Sequence, residues 1–138
     1  MCPQEKFPTA LSSSLRAGAL YDALVALLLV LMPAATGALL GLPLPGERFY
    51  LWLIAFFLLT LAAFYVLVAQ DPANRRPFVH LAIATRLLGG SVIAAAALGR
   101  PDLRGLFVIA GGDWLFGALH LVFLPRGGRP APGRRPLP

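Results

Sequence analysis

Two ionisable residues of opposite charge lie inside apolar segments of this chain, and they are the first candidates for a functional site. Arg86 lies within the apolar run 78–98, and Asp113 lies within the apolar run 106–124. Ionisable residues are expensive in hydrocarbon and usually mark ion pairs, ligand sites or proton pathways. The chemistry of the chain is therefore expected around these two side chains.

The depths of Arg86 and Asp113 predict that they pair. Measured from one end of the bundle, Arg86 lies about 12 Å along its helix and Asp113 about 16 Å along the next. Consecutive helices joined by a short turn are usually neighbours. Because a partner of opposite charge offsets much of the penalty in lipid, we predict an Arg86–Asp113 ion pair facing the bundle interior. Whether the pair is structural or functional stays open at this stage.

Other polar side chains lie towards the same end of the predicted bundle. Asp113, Gly117 and His120 share one helix face by their i, i+4 and i+7 spacing. Together they predict a polar recess that opens to the cytoplasm and is closed by apolar packing on the other side. The candidate binding residues are Arg86, Asp113, His120, His80, Tyr65 and Asp22.

Each candidate also has a structural explanation. His80 and His120 are compatible with interfacial histidines, and Tyr65 with an interfacial aromatic belt. Asp22 is close enough to the predicted start of its helix to reach water and to interact with the helix N-terminus. The co-location of these groups is the argument for a site.

Several kinds of chemistry are not indicated. The sequence contains no phosphate-binding loop, nucleophile elbow or metalloprotease motif. The two histidines lack metal-ligand spacing, and the single cysteine, Cys2, has no partner for a disulfide. We therefore predict no catalytic residue, no metal and no cofactor, and the sequence favours a non-enzymatic protein.

Composition places these residues in a helical membrane protein. Of the 138 residues, 58% are hydrophobic and 13% are charged, whereas soluble domains average about 25% charged residues. Four apolar runs are each long enough to cross a bilayer as a helix. We predict an all-α integral membrane four-helix bundle of up-down-up-down topology, with spans at about 17–40, 49–69, 78–98 and 105–124.

The segments outside this 17–125 membrane domain are polar. Residues 1–16 are expected to form a flexible arm or a short surface helix capped by serines. The tail 126–138 is rich in Pro, Gly and Arg and is expected to lack a core. Within the first span, Pro33 removes a backbone hydrogen bond and predicts a kink.

The distribution of Lys and Arg predicts the orientation. One side carries Arg48, Arg100 and Arg104. The N-terminus, the second connection and the tail carry Lys6, Arg16, Arg75, Arg76, Arg126, Arg129, Arg134 and Arg135. By the positive-inside rule, both termini are cytoplasmic. Because the positive charges gather at membrane edges, the net charge of +6 does not indicate a nucleic-acid partner.

Four segments carry a resemblance to a known group of proteins. They are FYLW at 49–52, FYVLVAQDP at 64–72, RLLGG at 86–90 and GDWLFGALHL at 112–121. Together they resemble small, mostly uncharacterised bacterial four-helix membrane proteins of a DoxX-like kind. The resemblance implies a four-helix bundle in the bacterial inner membrane. It also implies accessory roles in quinone or redox complexes, and it transfers no catalytic residue.

Two functions remain open from the sequence. The favoured one is a non-catalytic accessory or assembly subunit, or a homo-oligomeric module, whose partners are the lipid bilayer and other membrane subunits or further copies. A stripe of small residues on the third span, which includes Ala82, Gly90 and Ala97, suits such contacts. The alternative is a binder or enzyme for a hydrophobic small molecule such as a quinone or lipid. In that case Arg86 and His120 hold the headgroup, and Asp113 orients the arginine.

Overall fold

A computed structural model describes residues 9–124, and this part of the chain is helical with short connections and no strand. The helices are α1 (Thr9–Leu31), α2 (Pro33–Leu40), α3 (Arg48–Gln70), α4 (Arg76–Leu98) and α5 (Leu106–Phe123), with one 3₁₀ turn at Pro101–Leu103. Helices α1, α3, α4 and α5 are long and apolar enough to cross a membrane. The predicted all-helical class and the presence of four candidate spans are confirmed. The predicted tail 126–138 lies outside the described residues.

The first long helix begins earlier than the sequence analysis predicts. Residues 9–16 continue α1 instead of forming a separate arm, and the serines lie within the helix. The reason is an apolar stripe that extends into this segment: Leu11 and Leu15 are fully buried, and Ala19 is buried on the same face. Residues 1–8 of the predicted arm lie outside the described residues.

Pro33 divides the first apolar run into two helices, in agreement with the predicted kink. The backbone of Met32 leaves the helical region at φ −136° and ψ 53°. Beyond the break, the Thr36 hydroxyl lies 3.0 Å from the carbonyl oxygen of Leu28 and 2.8 Å from that of Met32. This hydroxyl donates to a carbonyl at the point where proline interrupts the backbone ladder.

The long helices form two closely packed pairs, with α1 against α3 and α4 against α5. The pairs meet mainly through α1 and α5, whereas α3 and α4 touch little. The outward faces carry many exposed large apolar side chains, such as Leu20, Phe56, Leu88 and Val122. A surface this apolar suits contact with lipid rather than water.

One end of the bundle is densely packed, and we call it the packed end. It contains the first half of α1, the last turns of α3 and the start of α4, with Phe123 and Leu124 packed against them. Its buried core consists of Leu11, Leu15, Ala19, Ala62, Tyr65, Val68, Ala69, Val79, Ala82 and Ile83.

The opposite end, which we call the loop end, is formed by the segments 41–47 and 99–105 with the adjoining helix turns. Gly41 ends α2 with a positive φ of 61°, a conformation that glycine adopts without strain. A side chain at Gly105 would collide with the carbonyl oxygen of Leu40. Glycine therefore allows the two connecting segments to approach each other here.

Candidate functional site

Arg86 is the centre of a buried ionic cluster between three of the long helices. Its side chain is 2% exposed. Nη2 donates to Asp22 Oδ2 at 2.7 Å and to the carbonyl oxygen of Gly18 at 3.1 Å. Nη1 donates to Asp113 Oδ1 at 2.5 Å. We call Asp22, Arg86 and Asp113 the ion triad.

The triad depends on where each helix places its residue. Gly18 and Asp22 are one turn apart on α1, so a backbone carbonyl and a carboxylate meet the same guanidinium nitrogen. A Cβ at Gly18 would lie 3.4 Å from Arg86 Nη2, so only a small residue leaves the guanidinium this room. Asp113 comes from α5, the helix packed against α4. The three charges thus connect the two helix pairs.

Aromatic rings surround the guanidinium on its remaining sides. The Arg86 Cζ atom lies 4.8 Å from the ring centroid of Tyr65, 5.5 Å from that of Phe116 and 5.8 Å from that of Tyr21. Ring faces attract cations, and the attraction is stronger away from water. The cation of the triad is therefore enclosed both by carboxylates and by π systems.

Five buried polar atoms have no hydrogen-bond partner among the described residues, and four of them belong to Arg86 or to residues around it. They are Ser14 Oγ, Asp22 Oδ1, Tyr65 OH, Arg86 Nε and His120 Nε2. His120 uses its other ring nitrogen, since Nδ1 contacts the carbonyl oxygen of Phe116 one turn earlier. Buried polar groups are normally satisfied, so this concentration of unsatisfied atoms sets the region apart from an ordinary apolar core.

A cavity of about 370 Å³ adjoins the carboxylates of the triad. It extends from Asp22 and Asp113 to the segment 42–45 and to Leu103 at the loop end. Its walls are almost entirely aliphatic, with Tyr21 beside the two carboxylates. The residues that line it are Tyr21, Asp22, Val25, Leu29, Leu40, Leu42, Pro43, Leu44, Pro45, Leu51, Ile54, Leu58, Ile93, Leu103, Leu106, Ile109 and Asp113.

The structure brings most of the predicted site residues together. Arg86 and Asp113 form the predicted ion pair inside the bundle. Asp22 joins them as a second anion and is buried, rather than reaching water at a helix edge. Tyr65 and His120 are fully buried, with ring centroids 6.1 Å apart. His80 lies apart from this group, since it is exposed on α4.

The position of the cavity differs from the predicted recess. The sequence predicts an open recess at the end where the described chain begins and ends, and apolar packing at the other. In the structure that end is the packed end, and the cavity lies between the triad and the loop end. Arg86, His120 and Tyr65 do not line this cavity, whereas Asp22 and Asp113 do.

Sequence reasoning missed Asp22 as a direct partner of Arg86, although a signal was present. Leu11, Leu15, Asp22, Ala26 and Leu29 recur at helical spacing, and all are buried on one face of α1. Extending that stripe back to Leu11 moves the helix start to Thr9 and places Asp22 about 20 Å along the helix. Asp22 then lies at the depth of the other two charges rather than near an edge.

The fold and the site together define a class: a multi-pass helical membrane protein with a buried ion triad beside an aliphatic cavity. Within residues 9–124, no group of three or more His, Cys, Asp or Glu side chains that could hold a metal ion comes together. Comparison with known proteins finds no family model, no curated protein and no solved structure that matches this chain. The function must therefore be argued from the site itself.

Proposed function

We propose that this membrane protein binds a hydrophobic small molecule in the cavity next to the ion triad. The observation that carries the proposal is the cavity itself, with aliphatic walls and two acidic side chains at one end. Small-molecule sites are commonly clefts of about 300–1,000 Å³ that combine apolar walls with a few polar groups. At about 370 Å³ the cavity is within that range.

The ion triad supports this function by holding the acidic end of the cavity in place. Asp22 and Asp113 come from different helix pairs, and Arg86 bonds to both. A cation between two carboxylates fixes their separation and keeps both inside the bundle. We assign these residues a role in binding and no bond-breaking step.

We further propose the bacterial inner membrane as its location, with up-down-up-down topology and both termini cytoplasmic. The support is the excess of Lys and Arg at the termini and the second connection. Under this topology, cysteines placed at Gly46 and Gly128 react with an impermeant thiol reagent from opposite sides. Reaction of both from the same side would contradict the topology. The DoxX-like kinship stays a prediction.

The role of accessory or assembly subunit also stays a prediction, and its test is recovery of a stoichiometric partner in mild detergent. Ala82, Gly90 and Ala97, from the small-residue stripe on α4, are buried within the chain itself. They are already used to pack α4 against its neighbours, so they offer no free surface to another subunit.

The binding function is tested by filling the cavity. Ile109 lines it, whereas Val108 is next to it on α5 but is 65% exposed on the outer face. In lipid nanodiscs, native mass spectrometry of the purified protein should detect a bound small molecule that the Ile109→Trp variant loses. The Val108→Trp variant should retain it. Equal retention by both variants would contradict binding in this cavity.

A further inference from the structure

The acidic groups of the triad meet the cavity, and the arginine does not. Asp22 and Asp113 both line the cavity, Asp113 with 14% side-chain exposure and Asp22 with 1%. Arg86 does not line the cavity, and both of its terminal nitrogens are already bonded to the triad carboxylates. A headgroup in the cavity therefore meets acceptors rather than the guanidinium donors.

We propose that the ligand is an amphiphile with a cationic, ammonium-type headgroup, which binds between Asp22, Asp113 and Tyr21. This inference rests on the proposed binding function and specifies its ligand class. It replaces the sequence-based expectation that Arg86 and His120 hold the headgroup, since neither residue lines the cavity.

The charges of the site support a cation. The triad contains two carboxylates and one guanidinium, so a single cation balances only one of the two anions. Asp22 Oδ1 is also buried without a hydrogen-bond partner among the described residues. An ammonium group supplies both the missing charge and N–H donors, and such charge-assisted bonds are the strong ones.

The remaining surroundings suit the same headgroup. Tyr21 lines the cavity next to the carboxylates, and a phenol oxygen can accept a hydrogen bond from an ammonium group. The rest of the wall is aliphatic and fits an alkyl tail directed to the loop end. An anionic headgroup at this place would face two carboxylates and would be repelled.

The test compares three photoreactive alkyl-diazirine probes of equal length, ending in an amine, a hydroxyl or a carboxylate. Each is irradiated with the full-length protein in zwitterionic nanodiscs, and labelled peptides are mapped by mass spectrometry. We expect the amine probe to label the cavity lining around Ile109 saturably and to be displaced by excess decylamine. The carboxylate probe should label only outward faces such as Val108. Because this comparison uses the unmodified protein, it does not depend on the folding of any variant.

The outcomes separate the inference from the binding function. If the hydroxyl or carboxylate probe labels the cavity saturably and at least as strongly as the amine probe, the inference of a cationic headgroup is wrong. The proposed binding function still stands in that case. Absence of saturable cavity labelling by every probe would overturn both. Only preferential labelling by the amine supports the inference.

A matched pair of acid-to-amide variants sharpens the test. Asp113→Asn keeps the side-chain shape and leaves Arg86 paired with Asp22, and we expect about tenfold weaker amine labelling from the loss of one charge-assisted bond. Asp102→Asn is the control, because Asp102 is exposed at the loop end and pairs with Arg100. Equal labelling of both variants would overturn the role of Asp113 in binding the headgroup.

Discussion

The two ends of the bundle are built differently, although both consist mainly of aliphatic residues. At the packed end, Leu11, Leu15 and Val79 are fully buried in one continuous core. Towards the loop end, residues of similar type, such as Leu58 and Ile109, line a cavity of about 370 Å³. The ion triad lies where the two regions meet.

This difference shows that apolar composition alone does not decide whether the interior of a membrane bundle is fully packed or contains a cavity. In lipid, helices associate through close packing rather than through the hydrophobic effect. At the packed end, residues from α1, α3 and α4 supply that packing. The chain breaks at Pro33, and the segments 41–47 and 99–105 close the loop end in place of continuous helices. The packed end is therefore expected to hold the fold together, and the loop end to accommodate a ligand.

The largest expected effect comes from removing Arg86, the cation that lies between the packed end and the cavity. Arg86→Leu leaves Asp22 and Asp113 buried without a counter-charge, and removing one partner of a buried ion pair costs about 3–5 kcal/mol. The free energy of unfolding, measured by reversible denaturation in mixed micelles, should fall by about this amount. The exposed Arg104 gives the control variant Arg104→Leu, which should be close to wild type. Equal stability of both variants would contradict the structural role of the triad.

A smaller effect should distinguish the two ends directly. Leu15→Ala at the packed end creates a new void and should lower the free energy of unfolding by about 2 kcal/mol. Ile109→Ala only enlarges an existing cavity, so its effect should be about half as large. The same denaturation measurement compares them. A greater loss for Ile109→Ala would reverse our assignment of the two regions.

The contact between α4 and α5 offers a third comparison. A Cβ at Gly90 would lie 3.0 Å from Trp114 Nε1 and 3.1 Å from the carbonyl oxygen of Ala110, whereas at Gly111 it would meet nothing within 4 Å. Gly90→Ala should therefore destabilise by about 1 kcal/mol through overpacking. Gly111→Ala should stabilise by about 0.5 kcal/mol through helix propensity. Thermal unfolding in detergent gives the sign of each change, and the same sign for both would disagree with the packing described.

The smallest expected effect is in the connection between α3 and α4. Asp71 accepts hydrogen bonds from the Asn74 side chain and backbone, which lower the pKa of Asp71. Its contribution to stability is present above the ordinary pKa of Asp and is lost as the pH falls through the lowered value. Asn74→Ala should raise the pKa of Asp71 towards its ordinary value, as measured by NMR titration. Because the hydrogen bonds between Asn74 and Asp71 are exposed to solvent, stability at neutral pH should change little.

Much of the fold was predictable because lipid imposes simple rules on sequence. Long apolar runs identify the helices, and the kink follows from Pro33. The start of α1 was predicted at residue 17 instead of Thr9. Residues 9–16 contain three serines and an arginine, of which Ser13 and Arg16 are exposed, and these polar residues hid the buried stripe of Leu11 and Leu15.

The site was only partly predictable. Depth along the helices predicted the contact of Arg86 with Asp113, because both lie on neighbouring helices. The role of Asp22 depends on the helix start and on the packing of α1 against the pair of α4 and α5, which the sequence pattern does not specify. The cavity arises from the break at Pro33 and from the course of the connecting segments. These depend on three-dimensional packing and not on local composition.

The most direct test of the account is the triple variant Arg86→Leu with Asp22→Leu and Asp113→Leu. Removing Arg86 and Asp113 alone leaves Asp22 unpaired, so all three charges must be neutralised together. We predict that the free energy of unfolding of the triple variant is within about 1 kcal/mol of wild type, because apolar replacement of a buried ion cluster is often neutral. It should also lose preferential labelling by the amine probe. A triple variant as unstable as Arg86→Leu, or one that retains the labelling, would contradict the account.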